Sequence, residues 1–94
     1  MTAYRKKPVV INAIQWNGGD YKCLEKFCGL NWARADARDV SWCGPDDGER
    51  VVLWNTLEAQ WLCCPKGHWV IRGLMGEIYP CDPAVFEMTY GAVA

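Results

Sequence analysis

Apolar positions along the chain change period several times, and each change marks an element. From Pro8 to Trp16, the residues Val9, Val10, Ile11, Ile14 and Trp16 crowd β-formers into one run with Asn12 as its only strongly polar interior residue, which predicts a strand buried on both faces. Asn17-Gly18-Gly19 breaks that run, and Asp20 is placed to cap a helix starting near Tyr21. Leu24, Phe27 and Cys28 then recur at helical spacing beside Cys23, and Gly29 supplies a stop. The helix should lay this apolar face on a sheet.

The segment Trp32 to Cys43 alternates Ala33, Ala35 and Ala37 with Arg34, Asp36 and Arg38, and reads as irregular extended chain ending in a strand at Val40 to Cys43. Gly44-Pro45-Asp46-Asp47-Gly48 predicts a turn, so a hairpin should join that strand to Arg50 to Asn55, where Val51, Val52, Leu53 and Trp54 are consecutive. Thr56-Leu57-Glu58-Ala59 turns the chain into a strand at Gln60 to Cys64, and Pro65-Lys66-Gly67 reverses it again. His68 to Arg72 and Glu77 to Cys81 form a last hairpin through Gly73-Leu74-Met75-Gly76. Asp82 and Pro83 open a short helix in which Val85, Phe86, Met88 and Tyr90 offer docking surface. The sum is an α+β domain over residues 1–94, with a curved, mainly antiparallel sheet of about five strands, one packed helix and a short C-terminal helix. A partly closed small β-barrel is the alternative, and the strand order is not readable.

Composition narrows the functions this architecture can carry. The chain has 94 residues, 51% of them apolar, which suffices for a single core and leaves no room for a second domain. A formal charge of −1 gives no overall reason to bind nucleic acid or an anionic membrane, and no apolar run approaches the length of a spanning helix. The sequence also lacks a signal-peptide pattern, so the cytoplasm is the expected location. In that compartment the six cysteines should stay reduced and serve mainly as small hydrophobes. Cys23 and Cys28 stand five positions apart, Cys63 and Cys64 are adjacent, and Cys43 and Cys81 are isolated, so close ligand pairs of the zinc type are missing. No metal site and no cofactor are expected.

Catalysis finds little to work with. His68 is the only imidazole, and although Cys63 or Cys64 lies just across the Pro65 turn, no third residue or oxyanion loop completes a nucleophilic site. The carboxylate pairs Asp36 with Asp39, Asp46 with Asp47, and Glu77 with Asp82 each read as a solvated face, a turn or a cap. No residue is therefore assigned a catalytic role, and phosphate-binding glycine motifs are absent. Binding has better material, because six tryptophans exceed what so small a core readily buries. In the strand from His68 to Arg72, alternation sets His68, Val70 and Arg72 on one face and Trp69 with Ile71 on the other. If Trp69 is core, the His68/Arg72 face is open, and Tyr79 on the next strand joins one side or the other according to register. Arg5 and Lys7 in the basic Arg5-Lys6-Lys7 triplet are further candidates, although such a triplet more often guards a strand edge. The candidate ligand or partner site is thus His68, Trp69, Arg72, Tyr79, Arg5 and Lys7.

The opening Tyr4-Arg5-Lys6-Lys7-Pro8-Val9-Val10-Ile11-Asn12-Ala13-Ile14-Gln15-Trp16, with Gly76-Glu77-Ile78-Tyr79-Pro80-Cys81-Asp82-Pro83 and Phe86-Glu87-Met88-Thr89-Tyr90, resembles a family of small bacteriophage and prophage proteins without assigned activity. The family commonly has an acidic residue at the place of His68 and a glycine at the place of Ala59. The resemblance implies an accessory protein of phage origin and brings no catalytic residues with it. The leading expectation is a non-enzymatic binding or interaction module that engages a host protein or self-associates. A small-molecule protein that sequesters a nucleotide signal of host defence is the alternative, and a thiol-dependent enzyme ranks last.

Overall fold

In a computed structural model of the chain, residues 2–4, 10–19, 21–34 and 50–91 are described. The order is β1 (Asn12–Gln15), α1 (Lys22–Cys28), β2 (Trp32–Arg34), β3 (Arg50–Asn55), β4 (Gln60–Pro65), β5 (Trp69–Arg72), β6 (Ile78–Cys81) and α2 (Pro83–Thr89). The described strands form two antiparallel three-stranded sheets, β1-β5-β6 and β2-β3-β4, which do not close into a barrel. The α+β class and the antiparallel pairing are as the sequence predicts. Asp20, the Val40 to Cys43 strand and the Gly44 to Gly48 turn lie outside the described residues, as do Arg5, Lys7, the Asp36/Asp39 and Asp46/Asp47 pairs and Cys43.

The chain passes from the β2-β3-β4 sheet back to the β1-β5-β6 sheet at the Pro65 reversal. Gly67 adopts φ 92°, which a side chain would resist, and donates its amide to the Trp16 carbonyl at 2.7 Å. The Trp16 amide in turn donates to the His68 carbonyl at 3.0 Å, lengthening the β1/β5 ladder. The register then pairs Gln15 with Trp69 and Asn12 with Arg72. β1 is an edge strand whose Asn12 and Gln15 are exposed, so the expectation of a strand buried on both faces fails there. Central strands are the ones covered on both sides: in β3, Val51, Val52 and Leu53 are all fully buried, as are Val70 and Ile71 in β5.

One core joins the two sheets to α1. Leu24 and Cys28 from the helix meet Val51, Leu53 and Cys64 from one sheet and Val70 and Ile78 from the other, with Trp16 beside them. Among the described residues Asn55 is the buried polar exception. Its Nδ2 donates to the Ile78 carbonyl at 2.9 Å and its Oδ1 accepts from the Glu58 amide at 2.8 Å, so one side chain ties β3 to β6 and also holds the following turn. Trp16, Tyr21 and Trp32 continue the core as an aromatic row, with Tyr21 and Trp32 stacked at 5.6 Å.

The outer side of the β1-β5-β6 sheet carries α2. Asp82 caps this helix through Oδ1, which accepts from the Ala84 amide at 2.9 Å, and Pro83 opens it. Phe86 stacks on Trp69 with centroids 4.0 Å apart and Tyr90 follows one turn later at 5.1 Å from Phe86. Only that stripe docks. Val85 is about half exposed and Met88 is 88% exposed, so these two do not supply the docking surface expected of them, because they fall outside the i, i+4 pair that faces the sheet. No described helix is long and apolar enough to cross a membrane.

Candidate functional site

The strand β5 decides where the predicted site residues go. Its alternation is as expected, but the side bearing Val70 faces the shared core, so the anticipated open His68/Arg72 face is instead covered. Arg72 folds onto α1, where its guanidinium carbon lies 4.3 Å from the Phe27 ring centroid and its Nη2 donates to the Phe27 carbonyl. His68 sits at the opposite end of β5, half-buried, with Nε2 3.7 Å from the Asp82 carboxylate. Trp69 points to the other side, beneath Phe86. These three therefore serve three different contacts and do not form one site. Arg5 and Lys7 lie outside the described residues.

Tyr79 is the member of the predicted set that enters a cleft. Its register partner is Ile71, which puts it on the α2 side of the sheet, where a space of about 290 Å³ is lined by Ile11, Gly73, Leu74, Met75, Glu77, Tyr79 and Tyr90. The local sequence builds this space through the β5/β6 turn. The Gly73 amide donates to the Glu77 carbonyl at 2.9 Å, the Gly76 amide to the Gly73 carbonyl at 3.1 Å, and Gly76 takes φ 78° to complete the reversal. Glu77 then folds its side chain back: Oε2 accepts from the Met75 amide at 2.9 Å, and the carboxylate occupies the room that Gly73 leaves, where a Cβ would stand 1.7 Å from Oε1.

The result is a small cleft with one charge and an apolar rim. Leu74 and Met75 are 76% and 75% exposed at the tip of the hairpin, where polar turn residues would be ordinary. Among the described residues Glu77 is the single charged one in the lining, and none of their cations pairs with it. Burial pushes the Tyr79 phenol well above its usual range, and the hydrogen bond with Tyr90 and the negative charge of Glu77 act in the same direction. The Tyr79 phenol thus keeps its proton at physiological pH.

Elsewhere the reactive residue types have structural duties. Burial, as the first cause, pushes the Cys28 thiol up to about 11 and the Cys64 thiol up to about 12, with Arg72 opposing the rise at Cys28. Cys64 is fully buried and its Sγ faces the Pro65 carbonyl at 3.9 Å, while the imidazole of His68 approaches Asp82. Glu77 and Asp82 occupy opposite ends of β6, about 17 Å apart along an extended strand, and cap a turn and a helix respectively. Among the described residues, no group of three or more His, Cys, Asp or Glu side chains is arranged to hold a metal ion.

Sequence reasoning passed over Ile11, Leu74, Met75, Glu77 and Tyr90 as site residues. A signal was present for two of them, since an apolar Leu-Met pair between turn glycines has no core to enter. The role of Glu77 depends on a side chain folding back over Gly73, which no pattern announces. Comparison of the chain with protein-family models, curated proteins and solved structures gives no match.

Proposed function

We propose that this chain is a non-catalytic binding module, an accessory protein of a phage or prophage acting in the host cytoplasm, and that it engages a protein partner through the tip of the β5/β6 hairpin. One observation carries the reading: a cleft holding the Glu77 carboxylate and two tyrosines opens beside Leu74 and Met75, both three-quarters exposed. Exposed apolar residues joined to a concave, partly polar surface favour recognition over solubility, and a rigid sheet positions the loop that bears them. The phage origin rests on the resemblance of the two end motifs. The nucleotide alternative draws less support, because the cleft presents a carboxylate where phosphate would need cations, and Arg72 is committed to Phe27.

The methionine methyl groups provide the test. Carbon-13 methyl spectra of the protein are recorded while short peptides with apolar and charged residues are titrated in. Met75 lines the cleft and Met88, on α2, does not. Saturable movement of the Met75 signal with Met88 unmoved supports the proposal. An unchanged Met75 signal across the panel, or equal drift of both, argues against it.

A further inference from the structure

Resting on that binding reading, we infer that the cleft selects a lysine side chain of the protein partner, with Glu77 as its counter-charge. Among the described residues Glu77 is the only charged group in the lining, and its carboxylate is complementary to a cation. Its Oε2 already accepts from the Met75 amide, and among the described residues no donor is bonded to Oε1. A guanidinium is favoured where both carboxylate oxygens accept its planar fork, whereas an ammonium needs only a point of negative charge. The phenol of Tyr79, whose proton is held in part by the charge of Glu77, adds an oxygen able to accept in the same lining. Ile11, Leu74 and Met75 form the apolar wall along which four methylenes pack while the charged head reaches the polar end.

Size and surroundings favour a side chain of a protein over a free ligand. At about 290 Å³ the cleft lies at the bottom of the range that holds drug-sized molecules. The exposed Leu74 and Met75 beside it offer apolar contact to the residues flanking an inserted lysine, which a free amine lacks. The motif recognised is therefore lysine between apolar residues.

The experiment uses the full chain and three probes: the peptide acetyl-Ala-Leu-Lys-Leu-Ala-amide, its analogue with norleucine in place of lysine, and n-butylammonium chloride. The lysine peptide should bind about tenfold more tightly than either of the others, and its affinity should fall with added salt while that of the norleucine peptide does not. Glu77→Gln keeps an oxygen for the Met75 amide and should erase the preference for lysine. Gly73→Ala provides a second route, because its Cβ displaces the flexible end of Glu77 and should also abolish the preference. Equal binding of the lysine and norleucine peptides overturns the assignment of charge while leaving a binding surface at the tip intact. Binding of n-butylammonium as tight as that of the lysine peptide overturns the protein source, and no response of any probe at Met75 overturns this inference together with the reading beneath it.

Discussion

The guanidinium of Arg72 lies 4.3 Å from the ring centroid of Phe27 and also donates to the Phe27 main-chain carbonyl, so one side chain of β5 holds the last turn of α1 in two ways. A cation at the carbonyl end of a helix opposes its dipole and satisfies an acceptor that the helix leaves open. Stacking over the ring adds a cation–π term. Arg72 is therefore a structural clamp, and Arg72→Met should lower stability by about 2 kcal/mol, the sum of a charged hydrogen bond and a cation–π contact. Arg72→Lys keeps the charge without the planar stack and should lose about half as much. Urea denaturation measures both, and an unchanged midpoint for the methionine variant would refute the clamp.

Asn55 makes a second long-range tie. Its amide donates to the Ile78 carbonyl across the two sheets and its oxygen accepts from the Glu58 amide. Replacing it with alanine leaves a buried carbonyl and a turn amide without partners, at a cost of about 2–4 kcal/mol. Hydrogen exchange should speed up at Glu58 in the Asn55→Ala variant. Retained protection there would mean that the turn is held by something else.

Ala59 closes the β3/β4 turn with φ 52°, a left-handed conformation that a Cβ disfavours. Glycine carries no such penalty, although it adds freedom to the unfolded chain. Ala59→Gly should accordingly stabilise the protein by about 0.5–1 kcal/mol. A thermal midpoint equal to or below that of the native chain would contradict this.

Stability should also fall at high pH for a reason located in the core. In the folded chain Cys28 keeps its proton up to about 11 and Cys64 up to about 12, against an ordinary thiol value of 9.0, chiefly because burial penalises the thiolate. Below pH 9 both states hold these protons and nothing changes. As pH rises from 9.0 through about 11 and about 12, the unfolded chain releases protons that the folded chain retains, so unfolding becomes progressively easier. Urea midpoints between pH 8 and 10.5 should show this decline, and it should be shallower in a Cys28→Ala/Cys64→Ala variant compared at each pH. Equal slopes in the two proteins would place the effect elsewhere.

Elements bounded by strong turn chemistry were legible in the sequence. Thr56 to Ala59, Pro65 to Gly67, Gly73 to Gly76 and Asp82-Pro83 all act where their residue types place them, and the strands between them follow. The division into two sheets was not legible, because period and propensity describe each strand alone, while Asn55 reaching Ile78 is set by packing. The same gap explains the site. Tyr79 was a candidate on either face until the register set it against the cleft, Arg72 looked available until α1 came to rest upon it, and Glu77 looked like a solvated charge, a turn former or a cap until it folded over Gly73.

The proposal that partners dock at the β5/β6 hairpin tip makes a prediction about contacts. Its most direct test is a set of intermolecular nuclear Overhauser contacts from the bound lysine peptide to the protein. Contacts are expected to the Met75 methyl group and to the Tyr79 and Tyr90 rings, which line the cleft. Contacts confined to another surface, such as the paired rings of Trp54 and Trp61 at 5.4 Å on the β2-β3-β4 sheet, would contradict it.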